Sequence, residues 1–281
     1  MRTFVSAFVV ALLTASSCGG GAIAQPPVLP PTSGFTLVWS DEFSSANGSA
    51  PDSTKWTYDL GGGGWGNQEL QSYTSRPQNV QIQKGNLVIT ALQENYTGTD
   101  GIARNYTSAR LKSQNLFAQA YGRFEARIKI ARGQGIWPAF WMLGSDSTQN
   151  GWPKCGEIDI MENIGREPGI IHGSLHGTSF VAPTSDRTST IFLPAGRNYA
   201  DDFHVYAIEW EPGAVRFTLD SNNYATFTED QWPSGGQWVF DHPFFILLNV
   251  AVGGSWPGSP DTSTQFPQQM LVDYVRVYSK N

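Results

Sequence analysis

The sequence predicts an all-β chain folded as a sandwich of jelly-roll type, with one sheet curved into a concave cleft. Three observations carry this: 30 Gly and 17 Pro among 281 residues, an aromatic fraction of 13% that includes 10 Trp, and short strand-like segments with no long amphipathic helix between them. Gly and Pro punctuate turns, while aromatic and β-branched residues suit a pleated, half-buried surface. Many short strands without an internal repeat point to a sandwich rather than a propeller or solenoid.

Residues 1–24 open with Arg2, run apolar from Phe8 to Leu13 and end in small residues, the pattern of an export signal. Ala22-Ile23-Ala24 fits cleavage before Gln25, whereas Ala15-Ser16-Ser17-Cys18 fits a lipoprotein box with Cys18 as the lipidated residue. Both routes stay open, so the protein is expected either secreted or held at the cell envelope. Residues 25–34 then form a Pro- and Gly-containing leader or tether, and 35–281 a single domain, since no low-complexity linker follows. A net charge of −6 without a basic run argues against nucleic acid or an anionic membrane as partner. No segment after the signal is long and apolar enough to span a membrane, and a monomer is expected. With only Cys18 and Cys155, a disulfide framework is excluded, and Cys155 reads as a small buried side chain rather than a nucleophile.

Gly122 to Ile130 alternates apolar and charged residues, which predicts a strand with one face on the core and one in water. Val205–Trp210, Ala214–Leu219 and Tyr224–Phe227, separated by Glu211-Pro212-Gly213 and Ser221-Asn222-Asn223, predict two successive hairpins. The apolar run Phe244–Val252 predicts an inner strand, and Leu271–Tyr278 a closing one.

The segment Glu157-Ile158-Asp159-Ile160-Met161-Glu162 places three acids within six residues. On a regular strand Glu157 and Asp159 share a face, but Glu162, five residues from Glu157, would point into the core. A buried, unpaired carboxylate is costly. One extra residue, inserted as a β-bulge near Met161, restores parity and brings all three acids to one face. The two glutamates are then four effective positions apart, roughly 13 Å along the strand, and inward-leaning side chains can approach the separation of about 5–5.5 Å that suits a retaining glycosidase. One carboxylate attacks the anomeric carbon and the other protonates the departing oxygen, while Asp159 tunes both by charge and hydrogen bonding. The aromatic stretch Ile136–Met142 just upstream offers indole faces on which sugar rings can stack.

With these acids, the chain resembles glycoside hydrolase family 16, and within it the laminarinase-like endo-1,3-β-glucanases. The matching segments, in order, are Trp39–Phe43, Gly64–Gln71, Ser108-Ala109-Arg110, Gly135–Met142, the Glu157 segment, His172–His176, Asn249–Gly254 and Asp273–Tyr278. The resemblance implies a concanavalin A-like sandwich and hydrolysis of 1,3-linked β-glucan by double displacement through a glycosyl-enzyme. Glu157 is implied as nucleophile, Glu162 as acid/base and Asp159 as their assisting carboxylate. Substrate contacts are implied at Trp65, Asn67, Glu69, Arg110, Trp137, Trp141 and His176, with Trp39 and Trp210 read as core. The family's lichenases lack the extra residue, so the inferred bulge favours the 1,3-glucanase branch; agarases also carry it.

No cofactor is expected for the chemistry. A structural calcium is implied at Glu42, the Gly85 carbonyl and Asp273, an oxygen donor set suited to that ion. His172 and His176 lack the further ligand motifs of a metal pair, and sugar hydrogen bonding is favoured for them. Asn47-Gly48-Ser49, Asn95-Tyr96-Thr97 and Asn105-Tyr106-Thr107 fit the glycosylation triplet, which matters only in a eukaryotic host. Alternative functions are an agarase, a mixed-linkage glucanase or a transglycosylase of the same family, and a noncatalytic β-glucan-binding protein, which occurs when the acids are lost.

Overall fold

The computed structural model describes residues 34–178 and 185–281. The expected export signal, Cys18 and the leader up to residue 33 lie outside the described residues. Along the chain run β1 (Phe35–Asp41), β2 (Thr57–Asp59), β3 (Gln71–Tyr73), β4 (Val80–Gln83), β5 (Asn86–Thr97), β6 (Ala103–Ser108), β7 (Arg110–Lys112), β8 (Gly122–Lys129), β9 (Ile136–Gly144), β10 (Glu157–Glu162), β11 (Ile170–Gly177), β12 (Ser185–Phe192), β13 (His204–Glu211), β14 (Ala214–Leu219), β15 (Asn222–Thr228), β16 (Phe244–Val252) and β17 (Gln268–Lys280). The helical elements among the described residues are single turns, of which α1 (Ser147–Asn150) is α-helical.

The strands form the expected jelly-roll sandwich. A ten-stranded sheet runs β15-β14-β13-β8-β17-β5-β6-β3, with β1 on β17 and β4 on β5, and a seven-stranded sheet runs β12-β11-β10-β9-β16-β7-β2. Their facing sides make one core. Phe124, Ala126 and Ile128 of β8 and Val275 and Val277 of β17 are fully buried, as are Phe140 and Met142 of β9, Ile158 of β10 and Leu248 and Val250 of β16. Each large aliphatic or Phe side chain so buried contributes about 1.5–3 kcal/mol relative to exposure. Trp210 is in this core and Trp39 packs at its margin, both as read from the sequence.

Two expectations need correction. The charged face of β8 is only partly in water: Arg123 and Glu125 are 7% and 8% exposed, whereas Arg127 and Lys129 are half-buried. Central placement between β13 and β17 covers Arg123 and Glu125, and they pair with each other at 2.8 Å, with Arg123 also reaching Glu209. Likewise β17, last in the chain, does not close the sheet at an edge but lies in its middle, paired with β8, β5 and β1. In the second hairpin the turn is Asp220-Ser221, with Leu219 opposite Asn222. Both turn residues have positive φ, 47° and 69°, as a two-residue type I′ connection requires.

Candidate active site

The seven-stranded sheet presents alternate residues to a cleft on its concave side. On β9, Ile136, Phe140 and Met142 face the core, while Trp137, Ala139, Trp141 and Leu143 line the cleft. On β10 the pairing with β9 slips between Asp159 and Met161. Glu157 lies opposite Leu143, Asp159 opposite Trp141, Met161 opposite Phe140 and Glu162 opposite Ala139, so Ile160 has no partner. The register on β11 slips at the same place, with Asp159 opposite Ser174 and Glu162 opposite His172. This is the bulge that the acid spacing demanded. Ile158, Ile160 and Met161 are buried, and all three acids line the cleft.

Gly156 leads into this strand at φ +72°, where a Cβ would also stand 2.8 Å from the ring of Phe244. Across from it, Gly144 lets β9 approach so closely that an added Cβ would lie 1.9 Å from the carbonyl oxygen of Cys155. Cys155 itself is buried, and burial together with the charges of Asp146 and Glu157 pushes its thiol up to about 11, so it is inert at neutral pH.

Burial and the charge of Asp159 raise both glutamates. Burial, then the charge of Asp159, raises Glu162 to about 8; the cation of His176 and the Trp137 indole N–H, donated to Glu162 Oε1 at 2.9 Å, oppose the rise. Burial therefore contributes more than the like-charge repulsion foreseen from the spacing. Glu157 is pushed upward by burial and by the charges of Asp159 and Glu162, and pulled back by His176. His176 Nε2 lies 2.9 Å from Asp159 Oδ2, and its Nδ1 lies 2.9 Å from Asp186 Oδ1. Burial disfavours the charged ring, but the bond and charge of Asp159, the charge of Glu157 and the Asp186 contact outweigh it and raise His176 to about 11. An imidazolium offers no lone pair to a metal. Glu157, Asp159 and His176, whose polar atoms lie within 4.8 Å of one another, thus form a charge network in which His176 donates.

The cleft has a volume of about 380 Å³, within the usual range for ligand sites. Trp65, Asn67, Glu69, Arg110, Trp137 and Trp141 all line it; His176, expected at the substrate, is not among the lining residues and instead pairs with Asp159. At its far end the Arg110 guanidinium lies 4.3 Å from the centroid of Trp65 and 5.3 Å from that of Trp141, within cation–π reach. Arg110 also donates to Asp59 at 2.6 Å, as does Lys112. Glu69 is 9% exposed and accepts from Asn67, Gln71 and Tyr73. Burial raises its carboxyl, and these donors with Arg110 partly offset the rise.

Sequence reasoning missed four residues here. Asn249 lines the cleft and accepts the Trp141 indole N–H at 2.7 Å; the one polar side chain in the run Phe244–Val252 was its signal. Trp152, 56% exposed on the opposite rim, was signalled only by an isolated Trp before Pro. Asp59 left no signal, because its partner Arg110 is 51 residues away. Trp256, stacked on Trp137 at 5.3 Å, sits in a Gly-rich loop that suggested no role.

The implied calcium ligands are apart from this cleft. Glu42 accepts two bonds from Arg276, at 2.8 and 2.7 Å, and Asp273 accepts one from Arg127 at 2.9 Å. Gly85 is in the turn between β4 and β5. The donors are all oxygen and fit calcium in type, but a cation would have to displace a guanidinium from each carboxylate.

A family model described as "Glycosyl hydrolases family 16" matches residues 67–276. The "Beta-glucanase" of Rhodothermus marinus is 44% identical over 253 residues, covering 87% of this chain and 85% of that protein. The "Glucan endo-1,3-beta-glucosidase A1" of Niallia circulans is 36% identical over 271 residues, covering 90% of this chain and 39% of that one. Among solved structures, the laminarinase catalytic domain from Thermotoga maritima superposes with a TM-score of 0.81 at 42% identity, covering 88% of this chain and 99% of that one. A bulged strand with three acids on the floor of a tryptophan-walled cleft, together with these similarities, establishes that this chain is a glycoside hydrolase and belongs to glycosyl hydrolases family 16.

Proposed function

We propose that the chain hydrolyses internal 1,3-β-linkages of glucan with net retention, with Glu157 as nucleophile, Glu162 as acid/base and Asp159 as their electrostatic support. The observation that carries this reading is the pair of buried glutamates on one face of a bulged strand, both raised above the ordinary carboxylate range, Glu162 to about 8. The Glu162 proton goes to the departing glycosidic oxygen as Glu157 attacks the anomeric carbon. Glu162, now a carboxylate, takes a proton from water as that water displaces Glu157. Protonation of Glu162 also removes one of the charges that pushes Glu157 upward, so Glu157 ionises more readily when its partner holds the proton. Trp65, Trp137 and Trp141 supply stacking surfaces, and Asn67, Glu69 and Arg110 supply hydrogen bonds to hydroxyls.

The names of the relatives support 1,3-linked glucan as substrate. A galactan or glycan substrate is the competing reading, since a "Keratan-sulfate endo-1,4-beta-galactosidase" of Sphingobacterium multivorum is 37% identical. Digestion of laminarin, mixed-linkage glucan, cellulose and agarose by wild type and Glu157→Gln separates them. Laminarin is expected to be cut fastest by wild type, and by the variant more than about 10³-fold slower. Preference for agarose, or equal rates, overturns the reading.

Three expectations extend the proposal. Export, with release at Gln25 or a lipid on Cys18, is read from the mass of the mature protein, and a monomer from its sedimentation. Calcium at Glu42, Gly85 and Asp273 would stabilise without entering the chemistry, and would appear as a calcium-dependent rise in melting temperature that Glu42→Ala abolishes.

A further inference from the structure

Behind the Trp137–Glu162 bond stands a stack that the reaction scheme does not use. The Trp137 ring meets Trp256 edge to face, with centroids 5.3 Å apart and planes at 88°. Trp256 in turn meets His172 at 4.9 Å and 75°. Arg166 donates from Nη1 to the Trp256 carbonyl at 2.6 Å, and His172 Nε2 lies 3.2 Å from Glu167 Oε2. Side chains from β9 and β11 thus meet the Trp256 ring, and one from the loop after β10 holds its backbone.

We propose that Trp256 is a positioning residue for the acid/base: it fixes the Trp137 indole so that Oε1 of Glu162 remains an acceptor and the transferable proton is confined to Oε2. This rests on the role proposed above for Glu162. A carboxylic acid can carry its proton on either oxygen, but a proton on Oε1 would leave the indole N–H only the hydroxyl lone pair, a weaker acceptor than the carbonyl oxygen. The indole enforces the choice only while its ring cannot swing. Edge-to-face packing on Trp256 supplies that restraint. The loop bearing Trp256 is itself pinned by Arg166, so the restraint does not depend on substrate being bound.

The other groups facing Glu162 are Asp159 and Glu157 on its own strand, His176 on β11, and His172 opposite it in register. Burial lowers the pKa of His172, with Glu167 opposing, so at neutral pH its ring packs on Trp256 uncharged. Trp137 also lines the cleft. Loosening it through Trp256 should therefore lower kcat more than it raises KM.

The test is direct titration of Glu162 by carboxyl carbon-13 NMR on glutamate-labelled protein, with the signal assigned by Glu162→Gln. Wild type, Trp137→Phe, Trp256→Leu and Trp256→Phe are compared, and pH profiles of kcat and KM on laminarin are run in parallel. Leu keeps the apolar cover but removes the aromatic partner, whereas Phe keeps both. Losing the indole donor should raise the Glu162 pKa by about one unit in Trp137→Phe. Trp256→Leu should move it in the same direction, and Trp256→Phe should restore the wild-type value. An unmoved titration in Trp256→Leu overturns the proposal, and a downward one shows that Trp256 merely excludes water. Because the titration needs no turnover, absence of activity on laminarin would count against the proposed reaction and leave this result readable.

Discussion

The acid/base role proposed for Glu162 makes a prediction that depends on the leaving group. Glu162→Gln should slow polysaccharide cleavage by about 10²–10⁴-fold and spare oligosaccharides with an aryloxide leaving group, whose departure needs no proton. Equal losses on both substrates would remove Glu162 from the acid role. His176 tests the charge balance. Its cation lowers both glutamates, so His176→Asn should raise both and displace the whole pH–activity profile to higher pH. A profile shifted downward or unchanged contradicts the network. At this scale the sequence was informative where polar groups are concentrated in a few neighbouring positions: the spacing of Glu157, Asp159 and Glu162 called for the bulge that brings them to one cleft face. Asp59 and the Trp256 stack did not, because their meaning lies in partners distant along the chain, Arg110 for one and Trp137 and His172 for the other.

At the scale of the element, the bulge in β10 is the device that makes a site out of a strand. Deleting Ile160, the unpaired residue, should remove the bulge and leave the regular alternation Glu157-Ile158-Asp159-Met161-Glu162, which keeps the three acids on the cleft face and Met161 in the core. No carboxylate is turned into the core, so the variant should fold and keep measurable cleavage of laminarin, unfolding at a denaturant concentration close to wild type; an unfolded variant would show that the bulge serves more than parity. This feature was legible because one polar residue broke an otherwise regular pattern. The charged face of β8 misled for a related reason. Alternation reports which residues share a face, but water on that face depends on the neighbours, and β13 and β17 cover Arg123 and Glu125. Strand order is equally hidden from local pattern, so the last strand could lie in the middle of its sheet.

At the scale of the molecule, the buried acids tie stability to pH. Glu162 is near its ordinary range when unfolded and is raised to about 8 when folded, so the native state binds the additional proton between those values. Stability therefore falls as pH rises from about 4.5 to 8. Glu162→Gln should flatten that fall, matching wild type near pH 4 and exceeding it at pH 8 by at least about 1 kcal/mol, as read by chemical denaturation at the two pH values. A wild type whose stability is independent of pH across this window contradicts the burial of an ionisable pair. The sandwich accommodates such a site because the opposite face of the same sheet packs fully on the core, which keeps the cleft floor rigid while its acids remain strained.

The central claim is that hydrolysis proceeds through a covalent glycosyl-enzyme on Glu157. It is tested most directly by following laminarin cleavage with proton NMR in the first minutes, before products mutarotate. New reducing ends should appear as the β-anomer, with the α-anomer growing in later at the rate of spontaneous equilibration. An α-anomer formed first would require inversion, and with it a water-activating base in place of the nucleophile assigned to Glu157.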